Sequence, residues 1–312
     1  MNLLARALVP STLVLFTVLA GCSDDGTGPG ATDTDGGTTI APDGAVTLAD
    51  GAVVDPVKPS DGGSGVVVSS SGCGKVATAA PGTWVKRTLT VKGAPRDVFV
   101  RLPAGYDPAR KYPVVYQLHG CSSADERETN VVPIEKNSGA EAILVRGRAA
   151  ANCWETGETG PDVPYFDAML EDVEGAFCVS TDRRFVTGYS SGSFLAHRLA
   201  CIRGDKLRGV ATIAGGQAGT DCKGSVAALL IHDANDRTVN ISQSEAARDS
   251  HLKRNGCASP PTSKPTTSPP CVEYAGCAEG KPVVWCPTAG KDHDRQDALA
   301  APIFWSFLSS LK

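Results

Sequence analysis

No basic run and no basic stripe interleaved with aromatic residues occurs in this chain, in which 30 Lys and Arg stand against 34 Asp and Glu for a formal net charge of −4. That balance argues against a nucleic-acid partner, which draws its affinity from dense Lys and Arg laid along phosphates. No internal repeat is visible. The close Cys and His pairs of a zinc site are also missing, since Cys271, Cys277 and Cys286 have neither tight spacing nor a His pair beside them, so no metal is expected. Residues 23–72 hold no aromatic residue and no apolar period, being dominated by Gly, Asp, Thr, Ser and Pro. Such a stretch cannot bury enough surface to offset its ordering entropy, and 22–72 reads as a flexible tether. The apolar stretch 13–20 is too short to span a bilayer permanently.

That short stretch has a context of its own. One positive charge, Arg6, precedes it, and Leu19-Ala20-Gly21-Cys22 closes it on small residues before a cysteine. The pattern resembles the signal of a bacterial lipoprotein, in which the cysteine thiol is lipidated and becomes the mature N-terminus. The resemblance implies that residues 1–21 are removed and that Cys22 is a lipid anchor. It places the protein outside the cytoplasm, at the outer membrane or cell surface or released from it, with membrane contact only through the lipid. The tether then lets the folded part stand clear and search for an external substrate. Eleven cysteines point the same way: setting Cys22 aside leaves an even number in an exported chain, and disulfides are the expected state. Spacing does not settle their connectivity, although Cys121 and Cys153, both near the candidate site below, make a reasonable pair.

Residues 73–312 suffice for one α/β domain with its own core. Strands are expected at 88–91 and 98–102, joined by the turn-like Lys92-Gly93-Ala94-Pro95, and then at 113–118, 142–145, 184–187, 207–214, 227–232 and 282–286. Helices are expected at 166–176, 194–200, 243–255 and 298–311. Strands alternating with helices predict a mostly parallel sheet covered on both faces, with ligands at the carboxyl ends of the strands.

The chemistry concentrates at Gly188-Tyr189-Ser190-Ser191-Gly192, which follows a strand-like run and opens a helix-like one. In a strand–turn–helix unit the two glycines remove the Cβ atoms that would clash as the backbone doubles back, and the serine between them is held exposed above the sheet. A serine hydroxyl needs a base within hydrogen-bond reach, and the base needs a carboxylate to fix its tautomer. Among five histidines, His293 lies in a polar loop between the last strand and the last helix, whereas His197 and His251 fall inside helices and His232 ends a strand, where structural roles are the default. Asp236 sits deep in the turn after the strand 227–232, with Asp233 as a rival. The order Ser190, Asp236, His293 is the one found in α/β-hydrolases. An acyl-transfer site also needs donors for the oxyanion: the backbone amide of Ser191 and one at or next to Cys121, in His119-Gly120-Cys121 after a central strand, are the candidates. His119 then organises its loop.

Several segments carry a further resemblance. They are Cys73-Gly74-Lys75, Tyr112-Pro113-Val114-Val115 with His119-Gly120, Asn152-Cys153-Trp154, Phe166-Asp167-Ala168-Met169-Leu170, Phe177-Cys178-Val179-Ser180-Thr181-Asp182 running into the serine turn, Ile231-His232-Asp233-Ala234-Asn235-Asp236, and Pro282-Val283-Val284-Trp285-Cys286. In this order they resemble the secreted esterase family that contains feruloyl esterases, acetyl xylan esterases and polyhydroxybutyrate-depolymerase-like enzymes. The resemblance implies a single α/β-hydrolase domain and a cofactor-free serine carboxylesterase with Ser190 as nucleophile, Asp236 as orienting acid and His293 as base. Its substrate would be an ester-bearing polysaccharide or polyester, with feruloyl esters ahead of acetyl esters and hydroxyalkanoates. It also implies that Trp154 lines the acyl or polymer cleft, with core packing as the alternative. A non-catalytic carbohydrate-binding protein on the same scaffold is the reading from a different class. One departure stands out: Lys291-Asp292-His293-Asp294-Arg295 is strongly charged where the family often has Gly-Gly before the histidine and an aromatic after it.

Overall fold

The computed structural model describes residues 69–123, 125–216 and 222–311, together with three short backbone segments nearer the N-terminus. The chain divides into two units, Met1–Ser64 and Gly65–Lys312. In the first, β1 (Thr39–Ile40), β2 (Val46–Thr47) and β3 (Val53–Val54) pair antiparallel in that order. The expected leader, Cys22 and most of the expected tether lie outside the described residues.

In the second unit, contacts begin before Cys73. Ser69 bridges Ser180, the Ser70 hydroxyl donates to Phe177 O (2.6 Å), and Gly72 N–H donates to Glu174 O (2.8 Å). The frame is a ten-stranded sheet. β4 (Trp84–Val91) and β5 (Ala94–Arg101) form a hairpin whose turn, Lys92-Gly93, has φ of 50° and 80°. Positive φ at both turn residues matches the twist of the flanking strands, and glycine adopts it without a steric penalty. The strands that follow are β6 (Tyr112–Leu118), β7 (Ile143–Gly147), β8 (Val179–Tyr189), β9 (Gly209–Ile213), β10 (Ala227–Asp233), β11 (Ser263–Pro265), β12 (Val272–Tyr274) and β13 (Val283–Thr288). The central six run parallel in the order β7-β6-β8-β9-β10-β13. The hairpin β4-β5 joins β7 antiparallel, and β12 and β11 extend antiparallel from β13.

Every residue of β6 is buried, because both faces of the sheet are covered and a doubly covered strand reads as a continuous apolar run. Alternate side chains go to opposite sides. Val114, Tyr116 and Leu118 join the core with Phe166 and Met169 of α2 (Asp162–Ala176) and Leu195 and Leu199 of α3 (Ser191–Ile202). Val115 joins the opposite core with Phe304 and Leu308 of α5 (Asp297–Ser310). α4 (Ser242–Arg254) adds Ala247 and Leu252 to the first core, and α1 (Glu135–Ser138) is a single turn against α5. This is the expected α/β-hydrolase arrangement, with helices on both faces of a mostly parallel sheet.

Cysteines 73–178, 121–153, 201–222, 257–277 and 271–286 are joined in five disulfides, which account for all ten cysteines of the domain, the expected 121–153 pair included. In the loop-closure model each such bond removes on the order of 3–5 kcal/mol of denatured-chain entropy. The pairing fits an oxidising, extracellular compartment.

Two histidines in the core are satisfied as neutral rings. Arg254 donates to His251 Nδ1 (3.0 Å), so the His251 proton sits on Nε2 and is donated to His197 Nδ1 (3.1 Å). His197 in turn donates from Nε2 to Thr212 Oγ1 (3.1 Å), whose hydroxyl donates to Leu229 O (3.3 Å). Burial, reinforced by the Arg254 charge, lowers His197 to about 3, and the same causes together with His197 push His251 well below its ordinary value. Burial lowers His119 to about 4. In the unfolded chain these rings titrate near 6.5, so below that pH the unfolded state binds protons that the folded state refuses. Stability therefore falls as pH drops from about 6.5 toward 4. At pH 5 the loss is about 2 kcal/mol for each such histidine. The urea midpoint, followed by tryptophan fluorescence, should fall between pH 7.5 and pH 5, and an unchanged midpoint would refute the assignment.

Candidate active site

β8 ends at Tyr189 and α3 begins at Ser191, which leaves Ser190 alone to reverse the chain. It does so at φ 50° and ψ −118°, a conformation that costs a non-glycine residue on the order of 1–3 kcal/mol. The strain is held from several sides. Ser190 N–H donates to Ile213 O (3.0 Å) on β9, and Ser190 O accepts from Ser193 N–H (2.9 Å). A Cβ on Gly188 would lie 2.3 Å from Gly192 O, and one on Gly192 would lie 2.2 Å from Leu118 O at the end of β6. Both positions therefore require glycine, as the sequence pattern implies.

His293, in the loop between β13 and α5, reaches this turn. Its Nε2 lies 2.8 Å from Ser190 Oγ and its Nδ1 lies 2.7 Å from Asp236 Oδ2. A neutral ring with its proton on Nδ1 satisfies both contacts, accepting the serine hydroxyl proton and donating to the carboxylate. The Asp236 side chain is fully buried, and its other oxygen accepts from the N–H groups of Thr238 and Val239, both at 2.8 Å. Asp233 faces elsewhere: its Oδ2 accepts from Lys291 N–H (3.0 Å) and the Thr288 hydroxyl (3.0 Å), and its Oδ1 accepts from Asn235 N–H (2.9 Å). It is Asp236, and not its rival, that meets the histidine. Asp233 braces the loop that carries it.

The charges around His293 tie its loop to its neighbours. Asp292 accepts from Arg237 N–H (2.9 Å) and Nε–H (2.8 Å). Arg295 donates to both oxygens of Asp297 (2.7 Å each) and to Asn130 Oδ1 (2.9 Å), tying the histidine loop to the loop after β6. The Tyr189 hydroxyl donates to His293 O (2.9 Å).

The loop after β6 holds His119 as its organiser. His119 Nδ1–H donates to Gly120 O (2.5 Å), and Nε2 accepts from Ala149 N–H (3.0 Å), a neutral tautomer in keeping with its lowered pKa. Gly120 N–H donates to Asn130 O (3.1 Å) and Ser122 N–H to Asn152 O (2.9 Å), so the amide of Cys121 lies between two that are already committed. Ser191 is the first residue of α3, where an N–H has no acceptor within the helix.

Trp154, for which the sequence offers cleft lining or core packing, is buried in the structure beside the serine turn. The residue is 6% exposed, its ring sits 4.7 Å from His119 and stacks 6.4 Å from Tyr165, and its Nε1–H donates to His119 O (2.9 Å). Its backbone N–H donates to Ser191 Oγ (2.8 Å). The sequence reading passed over Asp162, a buried residue at the start of α2 that accepts from Arg96 (2.7 Å), Ala150 N–H (3.0 Å) and Glu155 N–H (2.8 Å) and so holds the loop on both sides of Trp154. An acidic residue opening a helix-like run was the available signal.

No protein-family model matches the chain. Among curated proteins it is similar to feruloyl esterase D of Neurospora crassa, 31% identical over 269 residues that make up 77% of this chain and 90% of that protein. It is 30% identical over 210 residues to the probable feruloyl esterase C of Aspergillus terreus, covering 64% of this chain and 74% of that one. Among solved structures, the acetyl xylan esterase from Aspergillus awamori superposes with a TM-score of 0.56 at 12% identity, covering 72% of this chain and 99% of the other, a likeness of fold alone.

The serine turn yields a direct test. Gly192→Ala forces α3 away from β6, at a cost above about 4 kcal/mol, and should lower the melting temperature by roughly 10 °C or more or prevent folding. Gly175→Ala, within α2 where a Cβ meets nothing within 4 Å, should leave melting unchanged or slightly raised. Equal melting of the two variants would contradict the packing described.

Proposed function

The chain belongs to the feruloyl esterase family and is a carboxylic ester hydrolase, and from that premise we propose that it cleaves esters through an acyl-enzyme built on Ser190, His293 and Asp236. The observation that carries the reading is the imidazole of His293, 2.8 Å from the Ser190 hydroxyl and 2.7 Å from the Asp236 carboxylate. Ser190 Oγ attacks the ester carbonyl while its proton passes to His293 Nε2. Asp236 keeps the ring in the tautomer that can accept that proton and stabilises the imidazolium. The oxyanion is received by the N–H groups of Ser191 and Cys121, and each such donor is worth on the order of 10²–10³ in rate. His293 returns the proton to the leaving alcohol, and a water deprotonated by the same ring then releases the acid. A pure carbohydrate binder would have no use for the proton path these three side chains form.

The substrate proposed is a hydroxycinnamoyl ester on plant polysaccharide, with acetyl esters second, because the curated relatives matched over most of the domain are named for feruloyl ester hydrolysis. Cys22 is proposed as the lipid anchor, on the strength of Leu19-Ala20-Gly21-Cys22.

Ser190→Ala should lower ester turnover on the order of 10⁶-fold while leaving melting intact, and retained turnover in the folded variant would overturn the mechanism. In one panel, methyl ferulate should be hydrolysed faster than p-nitrophenyl acetate, polyhydroxybutyrate or a peptide amide. A preference for either of the last two would overturn the substrate assignment. Cys22→Ser should move the protein from the membrane fraction to the soluble one, and a wild-type protein found only in the soluble fraction would end the anchor proposal.

A further inference from the structure

One fully buried histidine beside the site, His232, is not used by the reaction just described. It is the penultimate residue of β10, and its ring lies between the turn that carries Asp236 and the turn that carries Ser190. On one side Nε2–H donates to Val239 O (2.8 Å), and Val239 is the residue whose N–H is held by Asp236 Oδ1 (2.8 Å). The carboxylate and the imidazole thus grip one residue by its two backbone groups. The same Nε2 lies 3.3 Å from Asp236 Oδ2, the oxygen that faces His293.

On its other side the ring is tied to the nucleophile. Nδ1 meets Ser244 Oγ (2.6 Å), and the Ser244 hydroxyl also contacts Gly215 O. Gly215 is pressed against the serine turn: a Cβ there would stand 2.6 Å from Ser190 O and 2.2 Å from Ser193 Cβ. Gly215 also follows Ala214, whose N–H is held by Ile231 O (3.1 Å) on β10, so the shelf under Ser190 and the strand under Asp236 are locked together. Burial keeps the His232 pKa below its ordinary value, even with Asp236 and Asp233 nearby, and His293 opposes a second positive charge there. At neutral pH the ring therefore offers one N–H to the acid's turn and one lone pair to Ser244, whose single hydroxyl proton is shared between that lone pair and Gly215 O.

We propose that His232 is a positioning residue for the ester hydrolase reaction, a brace from Val239 to Ser244 and Gly215 that fixes the spacing between the carboxylate of Asp236 and the hydroxyl of Ser190. This rests on the catalytic reading above. The brace acts through the geometry of the acid and not through substrate contact, so its loss is read in kcat and not in KM. Gln can place an N–H near the position of the His232 Nε2–H, whereas Asn reaches only the Ser244 side.

The test measures kcat per Ser190 titrated by a phosphonate ester probe, with KM for methyl ferulate, in His232→Ala, His232→Asn, His232→Gln and Ser244→Ala. His232→Ala should lose about 10- to 100-fold in kcat per titrated serine with KM held within about twofold, since a misplacement of the order of 1 Å costs that much. His232→Gln should recover most of the loss and His232→Asn little of it, with Ser244→Ala intermediate. A role confined to folding would instead reduce the number of titratable serines and leave kcat per site at the wild-type value, which overturns the proposal. Should His232→Ala fail to fold, equal kcat per site in the Gln and Asn variants overturns it as well. Ester turnover abolished by Ser190→Ala but untouched by His232→Ala leaves the catalytic reading standing and removes only this one. Turnover retained by Ser190→Ala removes both.

Discussion

The site depends on one forced conformation, Ser190 at φ 50° between a strand and a helix that cross with no space for a side chain at 188 or 192. An isolated chain would leave that conformation, because nothing local compensates it. It persists because β8 lies between β6 and β9 deep in the sheet, because α3 buries Leu195 and Leu199 in the core, and because the Ser190 amide is held by Ile213 O. The local cost of a few kcal/mol is offset by burial spread over the whole domain. The reward is geometric: the hydroxyl projects above the strand ends, where loops from β6, β10 and β13 converge.

Those loops hold their shape by polar contacts and covalent links. Asp233 and Asp236, three residues apart in one turn, divide the work: the first accepts from the backbone and side chain of the β13 loop, and the second from its own turn and from His293. The charges of the histidine loop have the same explanation. Asp292 is matched by Arg237, while Arg295 is matched by Asp297 and reaches Asn130 across the site. Ion pairs at Asp292 and Arg295 thus help to fix the loop. Each is modest in energy because water is close.

Much of this was legible in the residues and some was not, for identifiable reasons. The buried parallel strands announced themselves as short apolar runs, and the Gly-x-Ser-x-Gly turn together with the order serine, aspartate, histidine pointed to three side chains that the structure brings into hydrogen-bond contact. The strand 179–189 was seen only in its second half, because Ser180, Asp182 and Arg183 make its first half look like a loop. β11 and β12 went unseen. They are three residues each, in a segment rich in proline and held by the 257–277 and 271–286 disulfides, so covalent closure there replaces the apolar pattern a sequence reading needs. Trp154 left two readings open for a different reason: a large aromatic beside a serine turn reads equally as a ligand platform or as packing, and only the tertiary structure shows its ring set beside His119 and Tyr165. The choice between Asp233 and Asp236 needed the structure, because both are turn aspartates in a single sequence context.

The two amides proposed as oxyanion donors come from distant elements, the loop after β6 and the start of α3, and stabilising an oxyanion requires their spacing to be set before charge develops. One short segment sets it. Cys121 is bonded through sulfur to Cys153, and the next residue, Trp154, donates its backbone N–H to the side chain of Ser191. Residues 153 and 154 therefore hold both donor residues at once, one by a covalent bond and one by a hydrogen bond. Asp162 fixes the approach to that segment through Ala150 and Glu155, and the indole of Trp154 fixes its depth through His119 O. A donor pair held this way has no rearrangement left to make when the carbonyl oxygen becomes negative. The buried tryptophan is thus the link between the two proposed donors.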